Sequence, residues 1–336
     1  MSERSPSWLL EYPPGVIVPR RTVPSRETYG HTGLEDFSQW QIESLLYLDD
    51  TVRQELSGLP RWRHLLNMLL LDFPPEGGFR HHWWVDEACY HYCEHGQLMW
   101  WGSGGTGKSE VIGYLTYEDF KASPDDTIVL HITTSHEKQD DRAFGAALKA
   151  YEADASPPGD LREVRSQPKK IERRVRGRKR TGLFTAAFGD GVKADTIQRA
   201  LGVHARRVVV VFDEANGIPD LAFEDGLVNA SRGTDHFRVV CLMNPKGFFG
   251  AAQRACTPLE CSRKEVVSYC VGGPGGVPEG RRESIAFRSR GLPGVPGDAV
   301  VLHADGTRNP SILHHDGEAA GPVSYTHLTL PTSGVV

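Results

Sequence analysis

The sequence predicts an α/β fold built on a mostly parallel, helix-flanked sheet, and three observations predict it. Leu98 to Trp101 is a short apolar run that leads straight into a glycine-rich turn and then a helix-forming segment. Thr127 to Thr133, TIVLHIT, and the valine run of Arg207 to Asp213 lack the apolar/polar alternation of a half-exposed strand, so they read as strands buried on both faces. Phe237 to Met243, FRVVCLM, is a further run of this kind, and each of these runs ends in polar residues. In open α/β sheets the residues at the carboxyl ends of the strands face the ligand.

The chain has 336 residues, 24% of them charged and 39% hydrophobic, which suits one large or two modest soluble domains. A net charge of -5 gives no global signal for nucleic acid, so such a partner has to be argued from a local patch. The six cysteines, Cys89, Cys93, Cys241, Cys256, Cys261 and Cys270, form no framework, which fits a reducing compartment better than secretion. No stretch has the length of a membrane span, and the N-terminus has no apolar signal core. A cytoplasmic protein with no membrane partner is therefore expected.

Residues 1–33 scatter five prolines among polar and basic residues and read as a flexible arm. Residues 34–270 are expected to form the main domain. Its N-terminal flank is helical, because Leu45, Leu46 and Leu48, and then Leu65, Leu66, Leu69 and Leu70, recur at helical spacing. His81 to His95 holds Cys89 and Cys93 among four histidines, which raises zinc ligation. Val85, Cys89 and Tyr92 share one helical face, which favours core packing instead. Trp83, Trp84, Trp100 and Trp101 are expected in the core rather than under an adenine ring. Residues 271–336 are rich in glycine and proline and read as an irregular tail.

Gly102, Ser103, Gly104, Gly105, Thr106, Gly107, Lys108 and Ser109 spell the complete phosphate-binding loop pattern. Glycines allow the positive-φ turns that point backbone N–H groups at a phosphate chain. Lys108 is placed to reach the β- and γ-phosphates, and the Ser109 hydroxyl to hold Mg²⁺. The helix expected from Glu110 to Lys121 directs its positive end at the same anions. ATP and Mg²⁺ are thus the expected ligands.

Further along, Thr134, Ser135 and His136 follow the TIVLHIT strand, and a helix from about Asp140 to Tyr151 carries Arg142 in its first turn. Arg162 to Arg180 concentrates ten basic residues against Glu163 and Glu172, the footprint expected of a nucleic-acid backbone reader, with a solvated, mobile hairpin as the alternative. Asp213 and Glu214 end a buried strand, which suits Asp213 as the metal partner and Glu214 as the base that polarises the attacking water. A helix from Pro219 to Asn229 precedes the strand ending in Asn244, whose amide can sense the γ-phosphate.

With GSGGTGKSE, TTSHEKQDDRAFG, GVKADTIQRALGVH running into VVVVFDEANGIP, and LMNP in hand, the chain resembles the ATPase portion of the tailed-phage large terminase subunit over about residues 80 to 256. The resemblance implies a P-loop NTPase fold of the ASCE/RecA-like kind and ATP hydrolysis coupled to DNA packaging in the host cytoplasm. It also implies a homo-oligomeric ring around DNA, with portal protein and small terminase subunit as partners. In such a ring an arginine of one subunit completes its neighbour's site. Arg199 is the candidate carried forward here, with Arg206, Arg207 and Arg142 as others. A viral replicative helicase, or a nucleotide-gated DNA-binding module without turnover, are the alternatives.

Two departures qualify the resemblance. The loop has no arginine of the kind some terminases carry there. The region from Cys270 onward shows no alternation of strands and carboxylates, since Asp298, Asp305 and Asp316 sit in glycine-flanked settings typical of turns. Nuclease activity is therefore expected to be absent. The closing VSYTHLTLPTS resembles translated sequencing-adapter read-through, so a truncated gene fragment is expected.

Overall fold

The computed structural model describes residues 83–102, 105–173, 180–244, 250–257 and 286–304, with the isolated positions 65, 68, 69, 72, 73 and 79. The arm, Leu45 to Leu48, Ser103, Gly104 and most of the expected tail lie outside the described residues, as do the side chains of Trp83 and Trp84.

The apolar runs form strands of one sheet. In chain order these are β1 (Gln97–Gly102), β2 (Thr127–Thr133), β3 (Leu161–Val164), β4 (Lys170–Arg173), β5 (Thr181–Ala187), β6 (Arg207–Asp213), β7 (His236–Met243), β8 (Ala286–Ser289) and β9 (Ala299–Ala304). Their spatial order is β3-β4-β5-β2-β6-β7-β1-β9-β8. From β5 to β9 every neighbouring pair is parallel, while β3, β4 and β8 are added antiparallel at the two edges.

Because successive side chains of a strand point to opposite faces, each buried strand feeds two apolar layers. Leu98, Trp100, Val209, Val211, Val240 and Leu242 face one layer. There they meet α1 (Trp83–Glu94), α2 (Lys108–Lys121) and α3 (Ala143–Ala153). Met99, Trp101, Val208, Val210, Cys241 and Met243 face the other layer, with α4 (Ala194–Leu201), α5 (Leu227–Ser231) and α6 (Ala251–Ala255). The result is a three-layer α/β/α unit. Val85, Cys89, Tyr92, Trp100 and Trp101 are all core residues, and Leu65 and Leu69 of the flank join them.

α2 and α3 touch backbone to backbone. A Cβ on Gly113 would collide with the Ala143 carbonyl and the Ala146 methyl, so glycine is what permits the approach. The lower end of α2 carries ionic side chains in the same layer. Asp119 accepts hydrogen bonds from the Tyr92 hydroxyl at 2.7 Å and from Arg207 at 3.2 Å, and Arg238 lies 3.6 Å away. Arg238 also stacks over the Tyr92 ring at 4.6 Å and donates to the Cys93 carbonyl at 2.8 Å. This charged cluster ties α1 and α2 to the amino ends of β6 and β7.

Several local expectations change. β5 was not anticipated, because TGLFTAA is short in large apolar residues. It becomes a strand by pairing with β2 on one side and β4 on the other. The expected irregular tail contains two strands, β8 and β9. β9 joins β1 through six registered pairs, and Val300, Val301 and Leu302 are buried, so tertiary pairing overrides a glycine- and proline-rich setting. Asp298 does sit outside the strands, just before β9, while Asp305 and Asp316 lie outside the described residues. The helix expected from Asp140 starts later, after a 3₁₀ turn at His136–Gln139, so Arg142 is its N-cap residue. The helix expected over Pro219 to Asn229 is a π turn at Ala222–Gly226 continued by α5. Gly226 there lets Leu201 and Ile197 of α4 come close.

Replacing Asp119 with Ala strands two buried arginines without their carboxylate. Asp119→Ala is expected to lower unfolding stability by about 3–5 kcal/mol, the cost of breaking a buried ionic group. Urea titration of both proteins measures it, and a loss below about 1 kcal/mol would contradict the role assigned to this cluster.

Candidate functional site

Strand register decides which residues can meet. Trp101 of β1 pairs with Met243 of β7, and Leu242 of β7 pairs with Asp213 of β6. The three strands therefore end level with one another, and Gly102, Asn244 and Glu214 emerge at one edge of the sheet. β7 lies between the other two. That arrangement places the asparagine between the lysine loop and the acid pair.

A cavity of about 450 Å³ opens at this edge. It falls in the range of roughly 300–1,000 Å³ usual for small-molecule sites. Gly105, Thr106, Gly107, Lys108 and Ser109 line it together with Asp213, Glu214, Asn244, Thr134, Lys138, Arg142 and Asn216. Gly105 and Gly107 both have φ +76°, the left-handed turn that the glycine pattern anticipates. Of the sequence-predicted residues, Gly105 to Ser109, Thr134, Arg142, Asp213, Glu214 and Asn244 line the cavity, whereas Gly102, Ser135, His136 and the other three arginine candidates do not.

Lys108 is buried, and its ammonium donates to the Gly102 carbonyl at 2.8 Å, the Thr106 hydroxyl at 3.2 Å and the Asn244 side-chain oxygen at 3.4 Å. Burial pushes its pKa down to about 8; the attraction of Asp213 opposes the drop and Arg142 adds to it. Asp213 is buried too. Its carboxylate accepts the Ala143 backbone N–H at 2.9 Å and a hydrogen bond from Ser109. Burial nevertheless raises its pKa above the usual carboxylate value. A cation added beside Ser109 and Asp213 would relieve that desolvated carboxylate, so this donor pair fits a hard divalent metal such as Mg²⁺. Among the described residues no group of three or more His, Cys, Asp and Glu could hold a metal by itself.

Glu214 has φ 60° and ψ 45°, a left-handed conformation that costs a non-glycine residue of order 1 kcal/mol and clusters at functional sites. Its carboxylate is held by Lys138 at 2.8 Å and by the Arg142 guanidinium. Asn216 donates to the Asn244 backbone carbonyl at 2.8 Å and so ties the loop after β6 to the end of β7. Sequence reading missed Lys138 and Asn216. The available signal was position, since each follows a parallel strand end at the edge where ligands bind.

The remaining arginine candidates lie elsewhere. Arg199 is exposed on α4, beside Asp195 at 3.6 Å, and does not line the cavity of its own chain. Arg206 pairs with Asp235 and Arg207 with Asp119, at the opposite, amino end of β6. Arg142 alone of the four enters the cavity. In the basic segment β3 and β4 form an antiparallel hairpin, and Arg174 to Lys179 lie outside the described residues. Acids distant in sequence neutralise part of the charge: Arg165 pairs with Glu152, Lys169 with Asp140 and Arg173 with Asp125. Arg162 is exposed, and Arg180 lies 3.9 Å from Glu172.

A glycine loop between strand and helix, a lysine beneath it and an acid pair one strand removed define a P-loop NTPase fold of mostly parallel α/β architecture. No family profile and no curated protein matches the chain. Among solved structures it is similar to the large terminase ATPase domain of Thermus phage P74-26, with 16% identity and a TM-score of 0.42 over 68% of this chain and 81% of that one. It is also similar to the HK97 bacteriophage large terminase, at 12% identity and a TM-score of 0.40 over 56% and 39% of the two chains. A third is the large terminase of a thermophilic bacteriophage, at 13% identity and a TM-score of 0.36; the alignment takes in 45% of this chain and only 34% of that one.

The depressed Lys108 pKa has a measurable consequence. Near pH 8 the free site is partly deprotonated, and a polyphosphate ligand stabilises the protonated form, so binding must take up protons. Above pH 8 the affinity for ADP is expected to fall by up to about tenfold per pH unit. Calorimetry at pH 8.5 in buffers of different ionisation enthalpy should show proton uptake, and buffer-independent heats would contradict it.

Proposed function

We propose that this chain is the ATP-hydrolysing part of a phage DNA-packaging motor. The observation that carries the ATPase reading is the meeting of Lys108, Asn244 and the Ser109–Asp213 pair in one cavity at the strand ends. Lys108 and the N–H groups of the glycine loop bind the phosphate oxygens of ATP. Ser109 and Asp213 would hold Mg²⁺, whose charge would offset that of the phosphates. The Glu214 carboxylate takes the proton from the attacking water. Asn244, through its side-chain oxygen on Lys108 and its backbone on Asn216, relates the phosphate end of the site to the loop after β6.

The packaging reading rests on the sequence likeness of the four motif stretches to large terminases. On that reading the chain works as a ring on double-stranded DNA in the host cytoplasm, with portal protein and small terminase subunit as partners. Arg199 of one subunit would then reach a neighbour's site. The basic segment from Arg162 to Arg180 is the proposed DNA contact.

Lys108→Ala is expected to abolish ATP binding or turnover. Glu214→Gln is expected to keep nucleotide bound while slowing hydrolysis at least about 100-fold, the range for loss of a general base. Unchanged steady-state rates in both variants would end the ATPase reading. Double-stranded DNA is expected to bind with steep salt dependence. Arg162→Ala combined with Arg180→Ala should reduce the slope of log K against log salt by about 1 for each phosphate that is no longer neutralised. An unaltered slope would remove this segment from the DNA interface.

A further inference from the structure

Asn216 lines the cavity, and its side-chain nitrogen is committed to protein: it donates to the Asn244 backbone carbonyl at 2.8 Å. Asn244 in turn offers its side-chain oxygen to the Lys108 ammonium at 3.4 Å. The Gly102 carbonyl and the Thr106 hydroxyl, which also accept from Lys108, belong to the lysine's own loop, so the asparagine oxygen reaches the lysine from a different strand end. A contact of 3.4 Å is at the long limit for a hydrogen bond, and a small displacement of Asn244 would lose it. The turn that presents Asn216 is fixed on both sides. Ala215 and Ile218 are buried in the apolar layer, and the Gly217 N–H closes onto the Glu214 carbonyl at 2.8 Å. A Cβ on Gly217 would come within 2.7 Å of the Thr134 methyl, so the turn has no room to move toward the end of β2. Farther along the same loop Asp220 accepts the Ala251 N–H at 2.8 Å and Arg254 at 2.9 Å, which fastens the loop to the start of α6. A loop held at these points gives the end of β7 a fixed partner.

Resting on the nucleotide reading of this cavity, we infer that Asn216 is a positioning residue for hydrolysis, which sets the Asn244 side chain on Lys108 by holding the Asn244 peptide in place. In this role it acts through Asn244 and needs no contact with the nucleotide. Neither asparagine belongs to the glycine loop, so a diphosphate cradled by the loop N–H groups does not depend on the pair, whereas turnover of the terminal phosphate does.

The test separates turnover from binding. Asn216→Ala and the closer-sized Asn216→Leu both remove the donor. Each is expected to lower kcat for ATP about 3- to 10-fold, the effect of one lost hydrogen bond, while the Kd of Mg-ADP measured by calorimetry stays within about twofold of wild type. Asn244→Ala removes the side chain that is being positioned, so adding Asn216→Ala to it should cost nothing more, whereas the losses of two independent residues would multiply. Wild-type kcat in both Asn216 variants overturns the inference, and so does the same fold loss with and without the Asn244 side chain; in either case normal ADP binding leaves the nucleotide site standing. A loss of ADP affinity that parallels the loss of kcat would make Asn216 a structural residue and overturn the inference as well. If the wild type neither binds Mg-ADP nor hydrolyses ATP, the nucleotide reading falls and the inference falls with it.

Discussion

The site depends on the hydrogen-bonded register of β1, β7 and β6, three parallel strands buried on both faces. A parallel strand cannot slip by one residue without turning its whole side-chain set to the other layer. Trp100 and Leu242 would then enter the layer of Met99 and Met243, and large side chains would face a volume shaped for others. The register is therefore fixed by packing. The level strand ends, and with them the separation of Lys108, Asn244 and Asp213, follow from it.

Burial shapes the chemistry as well as the geometry. The same desolvation that pulls the Lys108 pKa down raises that of Asp213, so each is less comfortable charged than it would be in water. A phosphate chain and a divalent cation would satisfy both at once. Glu214 differs because it is partly exposed and finds its counter-charges in Lys138 and Arg142. The two acids adjacent in sequence thus have distinct surroundings, one facing inward to a backbone N–H and a serine hydroxyl, the other outward to an exposed lysine and a half-buried arginine.

The two ends of the sheet do different work. At the carboxyl ends polar groups line an open cavity. At the amino ends Arg207 and Arg238 are spent on Asp119, and Tyr92 completes the cluster. Two residues of like charge therefore have separate fates: Arg207 is structural because β6 begins there, and Arg142 is at the site because α3 begins there. The edge strands extend the same scaffold. β9 covers the free side of β1, and the Gln97 side chain accepts the Leu292 N–H at 2.7 Å and donates to the Val295 carbonyl at 3.0 Å, anchoring the segment before β9.

The sequence by itself determined the mostly parallel α/β architecture and the glycine-rich loop, and it singled out the lysine, serine, acid pair and asparagine that meet at the strand ends. These are local patterns: runs of β-branched residues, glycines needed for positive φ, and polar residues that end apolar strands. It could not determine that β7 lies between β1 and β6, because strand order is set by packing across the sheet and leaves no periodic trace. For the same reason β5, β8 and β9 went unseen, since TGLFTAA and the glycine-flanked tail segments become strands only where a partner strand supplies their hydrogen bonds. Tertiary structure alone decided which arginine enters the cavity and that Lys138 meets Glu214. Long charged side chains choose partners through space, and a separation of 76 residues carries no signature of a 2.8 Å contact.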